Sequence, residues 1–342
     1  MKLKLDDVRA AFAVVDNVKP SPVADSSLFI RLRPNGNKLS MSATGTLWAG
    51  AEAVAQDVGG KWIAWVDRRV LKPFLDTAKG PDIEFFYKDE LIIKSGQRLE
   101  VALHTPISGY ESWNPKSSFD LPDEQKTLLA TLNKYLPIQA GTENVAAVWF
   151  AKEYGIVSTD TIVIAASLVA CDKDFFLPPE VAELVTGAAK LAVDKTGVGA
   201  KIGPGFVYQP LSSELDNYPK DAIKDQIKNG LDAAAAFKVS ASVLKELLSI
   251  ASQFLIERNE VLIIEPTKSG FNAKVDLAVG KFQRSVACKC SLAAPTSWPV
   301  KRLLPWMEYA GTDEVEFAKP QDSGAFRFER GGFKHVLMFA DQ

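Results

Sequence analysis

The sequence is short of the residues that most site chemistry needs. It has two histidines, His104 and His335, and three cysteines, Cys171, Cys288 and Cys290. Three cysteines make no disulfide framework, which fits a reducing compartment. Cys288 and Cys290 stand two apart in "SVACKCSL", a strand-like run that turns both thiols to one side. A metal site there would need two more ligands, so the pair reads as ordinary strand cysteines. No apolar run approaches the roughly 18–20 residues of a membrane span, and "MKLKLDDVRAAF" holds no apolar stretch of signal-peptide length. The expectation is a cytoplasmic protein with no membrane partner. Charge of one sign is lacking too. A formal net charge of −2 excludes coating of nucleic acid by a polybasic chain, yet it permits a localised basic surface, because binding depends on how charge is distributed.

Catalytic signatures are missing as well. "GVGAKIGPG" (197–205) resembles a phosphate-binding glycine loop, but such a loop follows a strand and opens a helix. Here the glycines follow a helical pattern and precede the strand-like "FVYQP", so a hairpin is predicted. There is no Walker-type lysine, nucleophile elbow or metal-binding histidine pair, and the carboxylates are scattered over helix faces and turns. The chain reads as a non-enzyme without a cofactor.

What is present is ordinary core-forming material in a repeated order. The 342 residues allow two or three domains, and 47 % hydrophobic with 24 % charged residues is normal for a globular chain. "WVDRRVLKPFLDTAKGPDIEFFYKDELIIKSGQRLEVALHTP" (65–106) runs from a short apolar segment through a basic amphipathic helix into alternating strands. "FFLPPEVAELVTGAAK" (175–190) and "TSWPVKRLLPWMEYAGTDEVEF" (296–317) begin the same way, and strand-like runs follow each. Taking Val66, Leu177 and Trp298 as equivalent points, 111 residues separate the first two and 121 the last two, each close to a third of the chain. A second helical pattern also recurs: Val8, Phe12 and Val15 in 5–18; Leu128 and Leu132 in 123–136; Val243, Leu244, Leu247 and Leu248 in 240–255. Strand-like runs follow, with hairpin signals at "PNGNK" and "KEYG". Each third thus reads helix, strands, helix, strands, too long a period for a solenoid. The breaker-rich stretches 108–125 and 212–230 suit linkers, which predicts an α+β chain of three tandem domains, 1–115, 116–229 and 230–342.

Basic residues recur on these helices. The second helix of the first third carries Arg68, Arg69, Lys72 and Lys79, and that of the last third carries Lys301 and Arg302. The first helices add Arg9, Lys126, Lys134 and Lys245. The helix expected at 178–190 dissents, with Glu180, Glu183 and the single Lys190.

Over nearly its whole length the chain resembles the bacterial-type sliding clamps, the β subunits of replicative DNA polymerases. The resemblance is strongest over 61–106, where "DIEFFYKDELIIKSGQRLEVALHT" has the family's paired strands around Ser95–Gly96. "NVKPSP" (17–22) matches a basic residue and proline after the first helix, "VSTD" (157–160) a second-domain motif, and "HVLMFADQ" the closing hydrophobic tail. The resemblance implies three clamp domains, each with two helices packed on antiparallel sheets, and a head-to-tail homodimer forming a six-domain ring around duplex DNA. Partners would be double-stranded DNA, bound without sequence preference through Arg9, Lys19, Arg68, Arg69, Lys72, Lys126, Lys134, Lys245, Lys301 and Arg302, and the polymerase and clamp loader, bound through short linear peptides. Carried over by position, the peptide groove would use Val145, Thr159, Thr161, Ile162, Val163 and Ile164, with Val336, Leu337, Met338 and Phe339 of the tail. Alternation implies that one face of that tail packs inside while the other opens onto the surface. The sequence departs from the family after Thr159–Asp160, where Gly-His-Arg-Leu is usual, and at its tail, where Pro and Met precede a basic residue. Such divergence suits a phage-encoded or specialised clamp, located in the host cytoplasm in the phage case. A clamp-fold scaffold that recruits proteins without encircling DNA, and an α+β enzyme, are the competing readings.

Overall fold

The computed structural model describes residues 1–19, 25–45, 47–101, 113, 115, 118–135, 147–152, 154–160, 162–169, 171, 174–187, 189–194, 196–210, 217–255, 261–277, 280–311, 313–321 and 323–340. His104 lies outside them. The chain opens with β1 (Lys2–Lys4), α1 (Leu5–Asp16), β2 (Phe29–Asn35), β3 (Lys38–Thr44), β4 (Trp48–Val54), β5 (Ala64–Asp67), α2 (Arg68–Thr77), β6 (Asp82–Tyr87), β7 (Leu91–Lys94) and β8 (Arg98–Val101). It continues with α3 (Asp123–Leu132), β9 (Val148–Ala151), β10 (Gly155–Thr159), β11 (Val163–Ser167), β12 (Phe175–Leu177), α4 (Pro179–Thr186), β13 (Lys190–Val193), β14 (Gly197–Ile202) and β15 (Gly205–Pro210). The last stretch is α5 (Lys220–Asp232), β16 (Ala235–Ser240), α6 (Ala241–Phe254), β17 (Val261–Thr267), β18 (Gly270–Leu277), β19 (Gly280–Ala287), β20 (Thr296–Pro299), α7 (Val300–Ala310), β21 (Glu314–Ala318), β22 (Ser323–Arg330) and β23 (Phe333–Ala340). Helix, four strands, helix, three strands occurs three times, as the periodicity predicts.

The helices form where apolar residues recur at 3.6-residue spacing. In α1 the stripe Val8, Ala11, Phe12 and Val15 is buried, and in α6 it is Leu244, Leu247, Leu248 and Ala251. Helices α2 and α7 each contain a proline at their sixth position, Pro73 and Pro305. The hairpins close where the turn signals stand. Gly155 opens β10 at φ +78°, and a Cβ there would overlap the carbonyl oxygen of Ser167, so both conformation and space require glycine. The glycine run at 197–205 is a hairpin, with Ile202 opposite Gly205 across a two-residue turn.

All strand pairs are antiparallel, and the sheets repeat one rule. The order β4-β3-β2-β5 recurs as β11-β10-β9-β12 and as β19-β18-β17-β20. The order β1-β6-β7-β8 recurs as β16-β21-β22-β23, and in part as β13-β14-β15. Twice the two kinds of block join edge to edge. β15 pairs with β4, Tyr208 opposite Trp48, giving a seven-stranded sheet; β23 pairs with β11, Phe339 opposite Val163, giving an eight-stranded one. The other two sheets have four strands each and end on β8 and β19.

Compactness follows these joints. One unit comprises Met1–Leu121 with Gly187–Leu211, the other Pro122–Thr186 with Ser212–Gln342. The first contains the seven-stranded sheet and β1-β6-β7-β8, with α1 buried against β3 and β4. The second contains the eight-stranded sheet and β19-β18-β17-β20, with α6 packed on α7 and α3 on α4.

Two local expectations are corrected. The helix expected at 178–190 stops at Thr186, before Gly187, and Lys190 opens β13, where its ammonium pairs with Asp120 at 3.0 Å. The stretch 212–230, expected as a linker, contains most of α5. Ile223 and Ile227, four residues apart and buried, are the stripe that makes it a helix, and Tyr218 before it joins the same cluster.

Candidate functional site

The second unit has a groove of about 750 Å³ at the joint of β11 and β23, walled on one side by α5. Its floor is apolar: Ile162, Ile164, Met338 and Phe339. The turn entering β11 is tightly tied. Asp160 accepts from the backbone N–H groups of Ile162 (3.2 Å) and Val163 (3.0 Å) on one carboxylate oxygen, and its own N–H donates to Val163 O. The Thr159 hydroxyl donates to the same carbonyl at 2.7 Å. The other carboxylate oxygen of Asp160 pairs with the Arg302 guanidinium of α7, and both side chains are nearly dry, Asp160 at 8 % and Arg302 at 6 % exposure. A desolvated pair of this kind holds its geometry, because parting the charges leaves one of them buried and uncompensated. The Thr-Asp motif therefore shapes the backbone that presents Ile162.

Helix α5 is held at both ends. At its start the ammonium of Lys220 lies over Phe176 (4.9 Å) and Trp149 (5.5 Å) and pairs with Asp174 at 3.0 Å; Lys224 lies over Tyr154. At its end Arg327 donates to the carbonyls of Leu231 (2.8 Å) and Ala233 (2.7 Å), a cation placed where the helix dipole is negative. The same guanidinium pairs with Glu316 at 2.9 Å. The neighbouring Lys238 ammonium, seconded by Arg327, holds the Glu316 carboxyl below the usual carboxylate range. Gly230 lets the helix approach β23, since a Cβ there would meet the Met338 sulfur.

Of the groove residues expected from the sequence, Ile162, Ile164, Met338 and Phe339 line the cavity. Thr159, Val163, Val336 and Leu337 are buried beneath it. Val145 and Thr161 lie outside the described residues. The tail differs from expectation: Val336, Leu337, Met338 and Phe339 are all buried, because α5 covers one face of β23 while Phe326 and Phe317 stack against Phe339 on the other. Sequence reasoning missed the α5 wall, Gln226, Asn229 and Asp232, whose signal was the Ile223–Ile227 spacing.

The basic residues divide into two groups. Arg68 and Arg302 do not face solvent, contrary to expectation. Arg68 is buried and donates to Val18 O (2.6 Å) and Ser27 O (3.0 Å), and Arg302 is the partner of Asp160. The reason is helical phase: Arg68 precedes Leu71 by three residues and Arg302 precedes Trp306 by four, which puts both on buried stripes. Arg9 donates to Leu75 O and Ala78 O, tying α1 to the end of α2. Lys126 approaches Asp123 at 3.9 Å, and Lys301 is half-buried. Lys19, Arg69, Lys72, Lys134 and Lys245 are exposed. Arg69 pairs with Asp67, and the Asp16 carboxylate, hydrogen-bonded to Lys72, holds that ammonium above its usual range.

No family model and no curated protein matches the chain by sequence. Solved structures do match. A DNA polymerase III subunit beta from Pseudomonas aeruginosa is 13 % identical with a TM-score of 0.78, all of this chain matching 99 % of that one. A beta subunit from Eubacterium rectale is 11 % identical with a TM-score of 0.77, at the same coverage. A DNA polymerase sliding clamp from Bacillus subtilis is 12 % identical with a TM-score of 0.75, covering all of this chain and 98 % of that one. Identity is low throughout while the order of helices and sheets is shared, and the chain has the α+β fold of the DNA polymerase sliding clamps.

Proposed function

We propose that this protein is a sliding clamp: three tandem clamp domains per chain, of which two copies close head to tail around duplex DNA and tether a polymerase. The unfinished sheets carry the reading. Within the chain, the last strand of one block pairs antiparallel with the third strand of another at β15–β4 and at β23–β11. By the same rule β8 and β19 are the two halves of a third joint, and both are sheet edges among the described residues. Exposed edges recruit strands, and a joint between β8 of one copy and β19 of another, made twice, yields a closed two-fold ring. The ring performs no reaction in this reading; it works by topological linkage, in the cytoplasm alongside the DNA. Sequence-independent phosphate contacts from Lys19, Arg69, Lys72, Lys134 and Lys245 would line it, and the groove beside α5 would take a short peptide from polymerase or loader.

The test is molar mass by light scattering at micromolar concentration. Twice the 37.3 kDa chain mass is expected for the native protein. A shift toward monomer is expected for Leu99→Asp and Phe282→Asp, which place a charge on half-buried positions of β8 and β19. A monomeric native protein, or a dimer indifferent to both substitutions, overturns the ring. Joint neutralisation of Lys19, Arg69, Lys72 and Lys245 is expected to flatten the salt dependence of DNA binding, by ~0.9 in slope for each phosphate left without its cation. An unchanged slope places the DNA elsewhere.

A further inference from the structure

We infer that the groove selects a cationic peptide, one in which lysine or arginine flanks the apolar residues that enter it; this rests on the groove being the partner site. The floor accounts for apolar anchors and carries no sign of charge. The rim does. Helix α5 presents Gln226, Asn229 and Asp232, each three residues from the last and so on one face, and Gln321 and Ser323 stand on the other side. Among the described lining residues Asp232 is the single charged one, and it is exposed, with no ion pair among the described residues.

Four of the nearby cations are engaged elsewhere, and Lys228, exposed on α5, is outside the cavity lining. Lys220 and Lys224 are on the other side of α5, over Trp149, Phe176 and Tyr154. Lys319 precedes Pro320 of the rim, but its ammonium donates to Pro295 O at 2.9 Å. Arg327 is occupied by the helix-end carbonyls and by Glu316. Among the described residues, an entering peptide therefore meets amides, a hydroxyl and one carboxylate. An acidic residue beside its anchors faces like charge, and a basic one finds a partner. Charge at an open rim acts mainly on partner choice and is screened by salt.

The probes are three labelled twelve-residue peptides sharing a Leu–Phe anchor, flanked on both sides by Lys, Glu or Ser, titrated by fluorescence polarisation. At low salt the Lys peptide is expected to bind the native protein about three- to tenfold more tightly than the Glu peptide, a gap that narrows in 0.5 M salt, as rim pairs do. Asp232→Lys is expected to reverse the order of the Lys and Glu peptides. Asp225→Lys changes net charge equally from an exposed position of α5 outside the cavity lining, and is expected to keep the native order. If the Ser peptide binds, and Ile164→Asp abolishes that binding, while Lys and Glu peptides bind alike, the charge preference is wrong and the groove reading stands. The charge preference is equally wrong if Asp225→Lys reverses the order as well as Asp232→Lys. If none of the three peptides binds, the groove reading fails and the inference falls with it.

Discussion

Helices α2 and α7 begin alike and then treat one position in opposite ways. Three residues before the internal proline, α2 has Val70 and α7 has Arg302. The valine is 45 % exposed and the arginine 6 %. Hydrophobicity ranks the two the wrong way round. Each helix buries its first, fourth, seventh and eighth positions: Arg68, Leu71, Phe74 and Leu75 in α2, and Val300, Leu303, Trp306 and Met307 in α7. In α7 the buried face is wider and takes in Arg302 and Tyr309, because α7 packs against both α6 and α3. What makes an arginine tolerable there is Asp160, which arrives from a turn more than a hundred residues earlier. Burial of a charge is set by the partner available, not by the residue's own preference for water.

The comparison breaks most sharply at the ion pair. Asp160→Ala or Arg302→Met alone leaves one buried charge without its counterion and is expected to cost ~3–5 kcal/mol in urea denaturation. The joint Asp160→Leu, Arg302→Leu variant should recover much of that loss, since replacing both members by apolar groups is often near neutral. It should not recover peptide binding, because the turn at Ile162 and Val163 also rests on Asp160. Full recovery of binding would show that the carboxylate shapes nothing in the groove.

His335 tests whether the same unit tolerates a second buried charge as it does Arg302. The imidazole is enclosed by Trp306, Tyr309 and Phe328 and shares a hydrogen bond with Ser167 at 2.5 Å, with no carboxylate partner at that distance among the described residues. Burial pulls its pKa down from 6.5 to about 4. A lowered histidine pKa means that the unfolded chain binds the proton more readily. The stabilisation is therefore complete above pH 6.5 and drains away as pH falls toward 4, amounting to roughly 3–4 kcal/mol at about 1.4 kcal/mol per unit. Denaturation at pH 7.5 and 4.5 should reveal the loss, and His335→Gln should flatten it; equal slopes in both proteins would mean that another group titrates.

The smallest effect is expected at Val70→Arg. It puts on α2 the side chain that α7 buries, at a site open to water, and should change stability by no more than ~0.5 kcal/mol. A large loss would mean that Val70 is covered in the working assembly, which the dimer mass of the same variant would reveal.

Much of the fold was legible because it rests on short-range regularities. Val8, Phe12 and Val15 mark α1 by spacing alone, and "PNGNK" marks the β2–β3 hairpin because few residues adopt its turn. Helix α5 was hidden between Pro219 and Gly230, each of which reads as a breaker, although the proline merely precedes the helix and the glycine makes room for Met338. In the groove, Ile162, Ile164, Met338 and Phe339 were carried over by position from the resemblance to the sliding clamps, whereas Asp232 became a rim residue only when α5 was laid along β23.

The sequence by itself determined the alternation of helices and strands, its threefold recurrence and the turns between, because these depend on side-chain period and local backbone preference within a few residues. Only the tertiary structure decided which bases face water, which strands join across distant stretches and which wall closes the groove. Those outcomes depend on partners far away in the chain: Asp160 for Arg302, Val18 O for Arg68, β11 for β23. No local pattern records a partner, since a buried charge becomes tolerable only where the fold supplies its counterion.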